Sequence, residues 1–275
     1  GLVGDNTTNS TTPTISGTAE PGATVSVVVG GQTLTATAAA DGTWSVTAAT
    51  LAAGTYTPAI TTTDKAGNTA TSTAPAFTID TSVTTTAKLD SSSDSGTAGD
   101  NITNDNTPTI SGVTEPGASV KVVVGSQTLT TTADSTGAWS VTAATLADNT
   151  YTPVVTVTDV SGNTATVNGT AFKVDTVTTV TVALASASDT GSSTTDNITK
   201  VTTPTFSGTA EPGASIKVVV GGQTLTTTAD ATTGAWSVTA ATLPAGSYAP
   251  VVTATDKAGT TATATLTAVS SISAS

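Results

Sequence analysis

The sequence predicts an all-β protein, a tandem array of three similar sandwich domains, and three observations carry that prediction. A segment beginning "TPTISGTAEPGATVSVVVGGQTLT" recurs as "TPTISGVTEPGASVKVVVGSQTLT" and again as "TPTFSGTAEPGASIKVVVGGQTLT". Glu20, Glu115 and Glu211 stand 95 and 96 residues apart, and Trp44, Trp139 and Trp236 stand 95 and 97 apart. A period of that length is a whole domain rather than a solenoid turn, because roughly a hundred residues can close a core of their own. Within each copy, small polar and apolar residues alternate, and turn signals break the alternation about every eight to twelve residues. Helical periodicity is absent throughout.

In the second copy, strands are expected over residues 84–89, 107–114, 119–124, 127–133, 139–143, 151–158 and 163–174. The turns between them are explicit: "EPG" at Glu115, "GS" at Gly125, "DSTG" at Asp134, "ADN" at Ala147 and "DVSGN" at Asp159. Each offers Gly, Asn, Asp or Pro where φ turns positive or is already fixed. Seven strands in about ninety-five residues fit an immunoglobulin-like sandwich. An odd strand count puts the two ends of a domain at opposite poles, so the domains are expected to stack end to end. The predicted division is residues 1–80, 81–175 and 176–275. Gly1 corresponds to Gly96, so the first copy lacks its own first strand, which is either a boundary of the chain or a strand supplied from elsewhere.

The predicted core is light, with three Trp, three Tyr and three Phe in 275 residues. Val25, Val27, Val29, Leu34, Val46, Ile60 and their counterparts supplement it. Leu51 with Tyr56, repeated as Leu146 with Tyr151 and Leu243 with Tyr248, resembles the tyrosine corner of such sandwiches. A Trp at the same register of every copy, at the start of a strand, reads as core rather than as a platform for stacking on sugar.

Composition excludes several functions. Cys, Met, His and Arg are absent, which removes the usual nucleophile–base pairs, thiolate metal sites and guanidinium clamps, so no enzymatic activity is expected. A net charge of −12 with only seven lysines opposes nucleic-acid binding. No apolar run approaches the roughly twenty residues of a membrane-spanning helix.

The 19 acidic residues recur in turns. With strands alternating in direction, Glu115, Asp134 and Asp159 fall at the leading end of domain 2, where Asp80 arrives from domain 1. Asp175, Glu211, Asp230 and Asp256 repeat the arrangement at the second junction. Like charges so close call for a cation, and Ca2+ fits, because it takes six to eight hard oxygens in flexible geometry. A second acidic group is expected in the loop "LDSSSDSGTAGDNITNDN", with Asp90, Asp94, Asp100, Asn101 and Asp105, and in its third-copy counterpart with Asp189, Asp196 and Asn197. The same residues also suit Asx-turns in a solvated loop. Lys65, Lys88, Asp148 and Lys200 read as isolated loop or edge residues.

The linked pattern of "SDSG", "GDNIT", "TPTISG", "EPGA", "WSVT" and "TDKAGN" resembles the bacterial Ig-like extender repeats of very large RTX-type and biofilm adhesins. The resemblance covers essentially the whole chain. It implies a rod of tandem sandwiches stiffened by Ca2+ at the junctions, exported by type I secretion and projecting adhesive modules from the cell surface. Its partners are then the neighbouring repeats of the same chain. A self-assembling filament or surface-layer subunit is the alternative, with like chains as partners and the missing first strand of copy one completed by a neighbour. The third copy departs from the pattern, with Thr260 in place of the Asn of "AGN" and Ile272 where Asp80 and Asp175 stand.

Overall fold

The computed structural model describes residues 4–272, so the outermost residues of the three-domain division, 1–3 and 273–275, lie outside it. Every regular element among the described residues is a β-strand, and each domain repeats one pattern. Domain 2 shows it in full. Strand Ser119–Val124 lies at the centre of a four-stranded antiparallel sheet, between Gln127–Thr132 and Val154–Thr158, with Thr164–Asn168 at the edge. Lys88–Leu89, Thr109–Val113 and Ala138–Thr142 form the opposing sheet.

Alternation decides which face is buried. Val120, Val122 and Val124 are sealed in the core while Ser119 and Lys121, alternating with them, face outward, the period-2 pattern of a half-buried strand. They pack with Ile110, Val155, Val157 and Phe172 around Trp139, whose residue exposure is 4%. Trp44 and Trp236 sit equally deep, at 6% and 4%. Each indole is roofed by a glycine of the facing strand. A Cβ on Gly112 would lie 2.6 Å from the Trp139 ring and 1.9 Å from the Thr86 carbonyl, so only glycine fits there. The tyrosines make the expected bond back: the Tyr56, Tyr151 and Tyr248 hydroxyls donate to the carbonyls of Ala52, Ala147 and Pro244 at 2.9, 2.8 and 2.8 Å.

Two of the seven expected strands are split, and the cause is Pro153. Its nitrogen cannot donate to a ladder, and the chain changes sheets there. Asn149–Tyr151 pairs with Phe172–Val174, whereas Val154–Thr158 joins the four-stranded sheet. The partner strand breaks at the same level, where Gly169 N–H donates to the Pro153 carbonyl at 2.8 Å. A further strand, Ile102–Thr103, lies within the acidic loop and pairs in parallel with Phe172–Val174. Asn101, at φ 60°, turns the chain into it. In domain 1 the described residues give a two-stranded sheet, Thr14–Thr18 with Thr43–Thr47, where domains 2 and 3 have three strands. Domain 3 also exchanges core volume between sites. Phe206 replaces Ile110, and Val269 stands opposite Tyr248 where Phe172 stands opposite Tyr151.

Candidate metal centres at the domain junctions

The last short strand of domain 1, Phe77–Ile79, delivers Asp80 directly to the leading end of domain 2. There the "EPG" turn presents Glu115, and the turn after Val154–Thr158 presents Asp159. One carboxylate oxygen from each of Asp80, Glu115 and Asp159 lies within 4.8 Å of the others. The second junction repeats the group with Asp175, Glu211 and Asp256. Asp159 and Asp256 are buried, and the other four are half-buried.

The carboxylates act on one another electrostatically. Burial, then the charges of Asp80 and Asp159, push the Glu115 carboxyl above its ordinary value. Glu211 is raised in the same way by burial, Asp175 and Asp256. Burial is the leading cause of a rise at Asp256 as well. Desolvation and like charge both disfavour the ionised form.

Hydrogen bonds tie the junctions across domains. The Asn163 amide nitrogen donates to the Asp80 carbonyl at 2.9 Å and to Asp159 Oδ2 at 2.7 Å, and Ser161 Oγ donates to Asp80 Oδ2 at 3.3 Å. At the second junction Thr260 Oγ1 donates to the Asp175 carbonyl at 3.1 Å. Threonine has no amide to offer Asp256, whose Oδ2 is buried without a partner. The candidate ligand atoms are carboxylate oxygens, with an orphaned one at the second group, and that hard donor set fits Ca2+.

All three copies match the bacterial Ig-like domain family, over residues 1–81, 82–176 and 176–270. The chain belongs to that family. No curated protein matches it. Among solved structures it is similar to one concerned with host cell surface retention of a 1.5-MDa bacterial ice-binding adhesin, at 26% identity over 98% of this chain and 94% of that chain, TM-score 0.46. It is also similar to a Ca2+-stabilized adhesin with which an Antarctic bacterium reaches out and binds ice, at 28% identity over 98% and 72%, TM-score 0.37. A tetra-tandem repeat in the extending region of a large adhesion protein gives 24% identity over 98% and 72%, TM-score 0.38.

Two residues expected at the Ig-like junctions stand apart from these groups. Asp134 and Asp230 are exposed and each spends one carboxylate oxygen on its own turn. Asp134 Oδ1 accepts from Thr136 Oγ1 and N and from Ala138 N, and Asp230 Oδ1 accepts from Thr232 N and Thr233 N and Oγ1. Both carboxyls are lowered by these bonds.

In the acidic loop, Asp90 and Asp105 behave likewise. Asp90 accepts from Ser92, which lowers its carboxyl to about 2, and Asp105 accepts from Ser93 and Thr107. Asp94, Asp100 and Asp189 differ, since each keeps one oxygen buried with no partner. Asn101 and Asn197 hold positive φ, and their carbonyls accept from Lys173 N and Ser270 N. Asp196 caps Ile198 N at 3.1 Å.

The sequence reading missed two members of the second junction. Lys173 Nζ lies 2.6 Å from Asp175 Oδ2. Asp148, read as isolated, accepts from Thr176 N and Oγ1 in the linker at 3.1 and 2.7 Å. The signal was present in the repeat, because Thr78 and Ala53 hold the matching positions of the first copy.

Proposed function

We propose that the chain is an extender segment of a bacterial surface adhesin, a calcium-stiffened stalk outside the cell that holds adhesive modules away from it. The observation that carries this reading is the pair of junction groups, each built from two domains. Asp80 would hold Ca2+ with Glu115 and Asp159, and Asp175 with Glu211 and Asp256. Asp94 and Asp100 in the loop of domain 2, and Asp189 in that of domain 3, are further candidate ligands. Bound Ca2+ would offset two of the three negative charges that repel one another and join the end of one domain to the start of the next. Domain limits near Asp80 and Asp175 follow from this role, and no catalytic residue is assigned. No helix among the described residues is long and apolar enough to cross a membrane.

Small-angle scattering of the whole chain tests the proposal. The maximum dimension is expected to be larger and better defined in millimolar Ca2+ than in EGTA, with a higher melting temperature. A scattering profile and a melting curve indifferent to Ca2+ would overturn it.

A further inference from the structure

The two junctions share three equivalent carboxylates but differ in what else stands beside them, and at the second Asp148 acts on Glu211 as a further like charge, more weakly than Lys173 acts on it as an opposite one. At the first, the position before Ile79 is Thr78, and the residue over the "EPG" turn is Val160, 3.4 Å from where a Gly117 Cβ would lie. At the second, Lys173 replaces Thr78, and Lys257 replaces Val160, its Cε 3.4 Å from where a Gly213 Cβ would lie. The Lys173 ammonium is half-exposed, whereas its partner Asp175 is 13% exposed. Lys173 also feels Glu211 and Asp256 beyond its bond to Asp175. Its position is fixed by strand Phe172–Val174, which holds residue 173 two places before Asp175.

Other contacts there need no ion. Ser95 Oγ of domain 2 donates to the Ala258 carbonyl of domain 3 at 2.7 Å, and Thr97 N–H donates to the Lys257 carbonyl at 3.0 Å. Gly96 sits so close to this turn that a Cβ on it would lie 2.2 Å from the Lys257 carbonyl.

We infer that Lys173 is a tethered counter-cation that makes the second junction less dependent on calcium than the first. This inference rests on the calcium reading above and concerns only how the two junctions differ. The ammonium already satisfies part of the charge that Ca2+ would neutralise, and it repels a divalent ion arriving at the same group. The second junction therefore binds Ca2+ more weakly, and it stays closed when Ca2+ is withdrawn. A rod with such unequal joints loosens first at residues 80–82 as calcium falls.

Calorimetric Ca2+ titration of the full chain tests this, with Glu115→Ala and Glu211→Ala assigning a binding step to each junction. Lys173→Thr, the residue of the matching first-copy position, should tighten the second step about tenfold, and Thr78→Lys should weaken the first by a similar factor. In EGTA, Lys173→Thr should also shrink the maximum dimension in scattering, because the uncompensated carboxylates then loosen the joint between domains 2 and 3 and let it bend. Steps that Glu115→Ala and Glu211→Ala remove but that Lys173→Thr and Thr78→Lys leave in place overturn the inference alone. Absence of any step assigned to Glu115 or Glu211 overturns the calcium reading and this inference with it.

Discussion

Replacing Glu115 by Gln should change stability with opposite signs in the absence and presence of Ca2+. The side chain keeps its shape and loses only its charge. Its carboxylate oxygen lies within 4.8 Å of both Asp80 and Asp159. Two like charges at that distance repel by about 0.9 kcal/mol in water and about 3.5 kcal/mol at an effective dielectric near 20. Glu115 is only half-buried, so the lower figure is the better guide, and two neighbours together give about 1–2 kcal/mol. In EGTA the Gln variant should therefore melt higher, by roughly 4–8 °C per kcal/mol for a domain of this size. In Ca2+ the same change removes a ligand. A hundredfold loss of affinity subtracts about 2.7 kcal/mol of linkage stabilisation, which outweighs the gain of about 1–2 kcal/mol from the relieved repulsion, so the melting temperature should fall by a few degrees. Scanning calorimetry of the whole chain reads both, with domain 3 as internal reference. A shift of the same sign in both buffers would refute the reasoning. A rise in both would mean that no ion is held there, and a fall in both that the carboxylates do not repel.

Trp139→Ala should destabilise domain 2 by about 3–5 kcal/mol, because the indole is 96% buried under Gly112, and chemical denaturation followed by far-UV dichroism would detect it. Unchanged stability would sink the core assignment. The pH dependence has two limbs. Glu115, Glu211 and Asp256 have raised folded values, so the native state binds their protons more tightly than the unfolded chain does, and Ca2+-free stability should fall as pH rises above the ordinary values of 4.5 and 3.8. Asp41, held down first by its bond from the Thr43 hydroxyl, and Asp134, held down by that from Thr136, act in reverse. Their contribution is present above 3.8 and is lost as pH falls below it. Melting temperature against pH in EGTA should thus pass through a maximum on the acid side of neutrality, and saturating Ca2+ should flatten only the alkaline limb.

Much of the fold was legible because it depends on local period and turn chemistry. Alternation alone places Val120, Val122 and Val124 inward and Lys121 outward, and the register of Trp139 settles its burial. The sheet switch at Pro153 had its signal in the sequence, but the expected strand over residues 151–158 ran straight through it, although a proline inside a strand argues against an unbroken ladder. The strand Ile102–Thr103 was not legible. Two residues give no periodicity, and what makes them a strand is a parallel partner some seventy positions away together with the positive φ of Asn101.

The candidate site divides along the same line. Which turns meet at a junction follows from strand direction, so Asp80, Glu115 and Asp159 could be brought together on paper. What each carboxylate does on arrival depends on competition for its oxygens, and that competition is decided within a few residues. A threonine two or three places after Asp134 or Asp230 offers a hydroxyl and an N–H at once, and the side chain folds onto its own turn. Glu115 has proline next to it and no such donor, and no hydrogen bond from the described residues holds its carboxylate, which leaves it facing its neighbours. Lys173 escaped notice for a different reason. A reading that seeks what the copies share finds the acidic residues, whereas the cation that distinguishes one junction from the other shows only when the copies are subtracted. In a tandem array the common residues build the joint, and the differences set how firmly each joint holds.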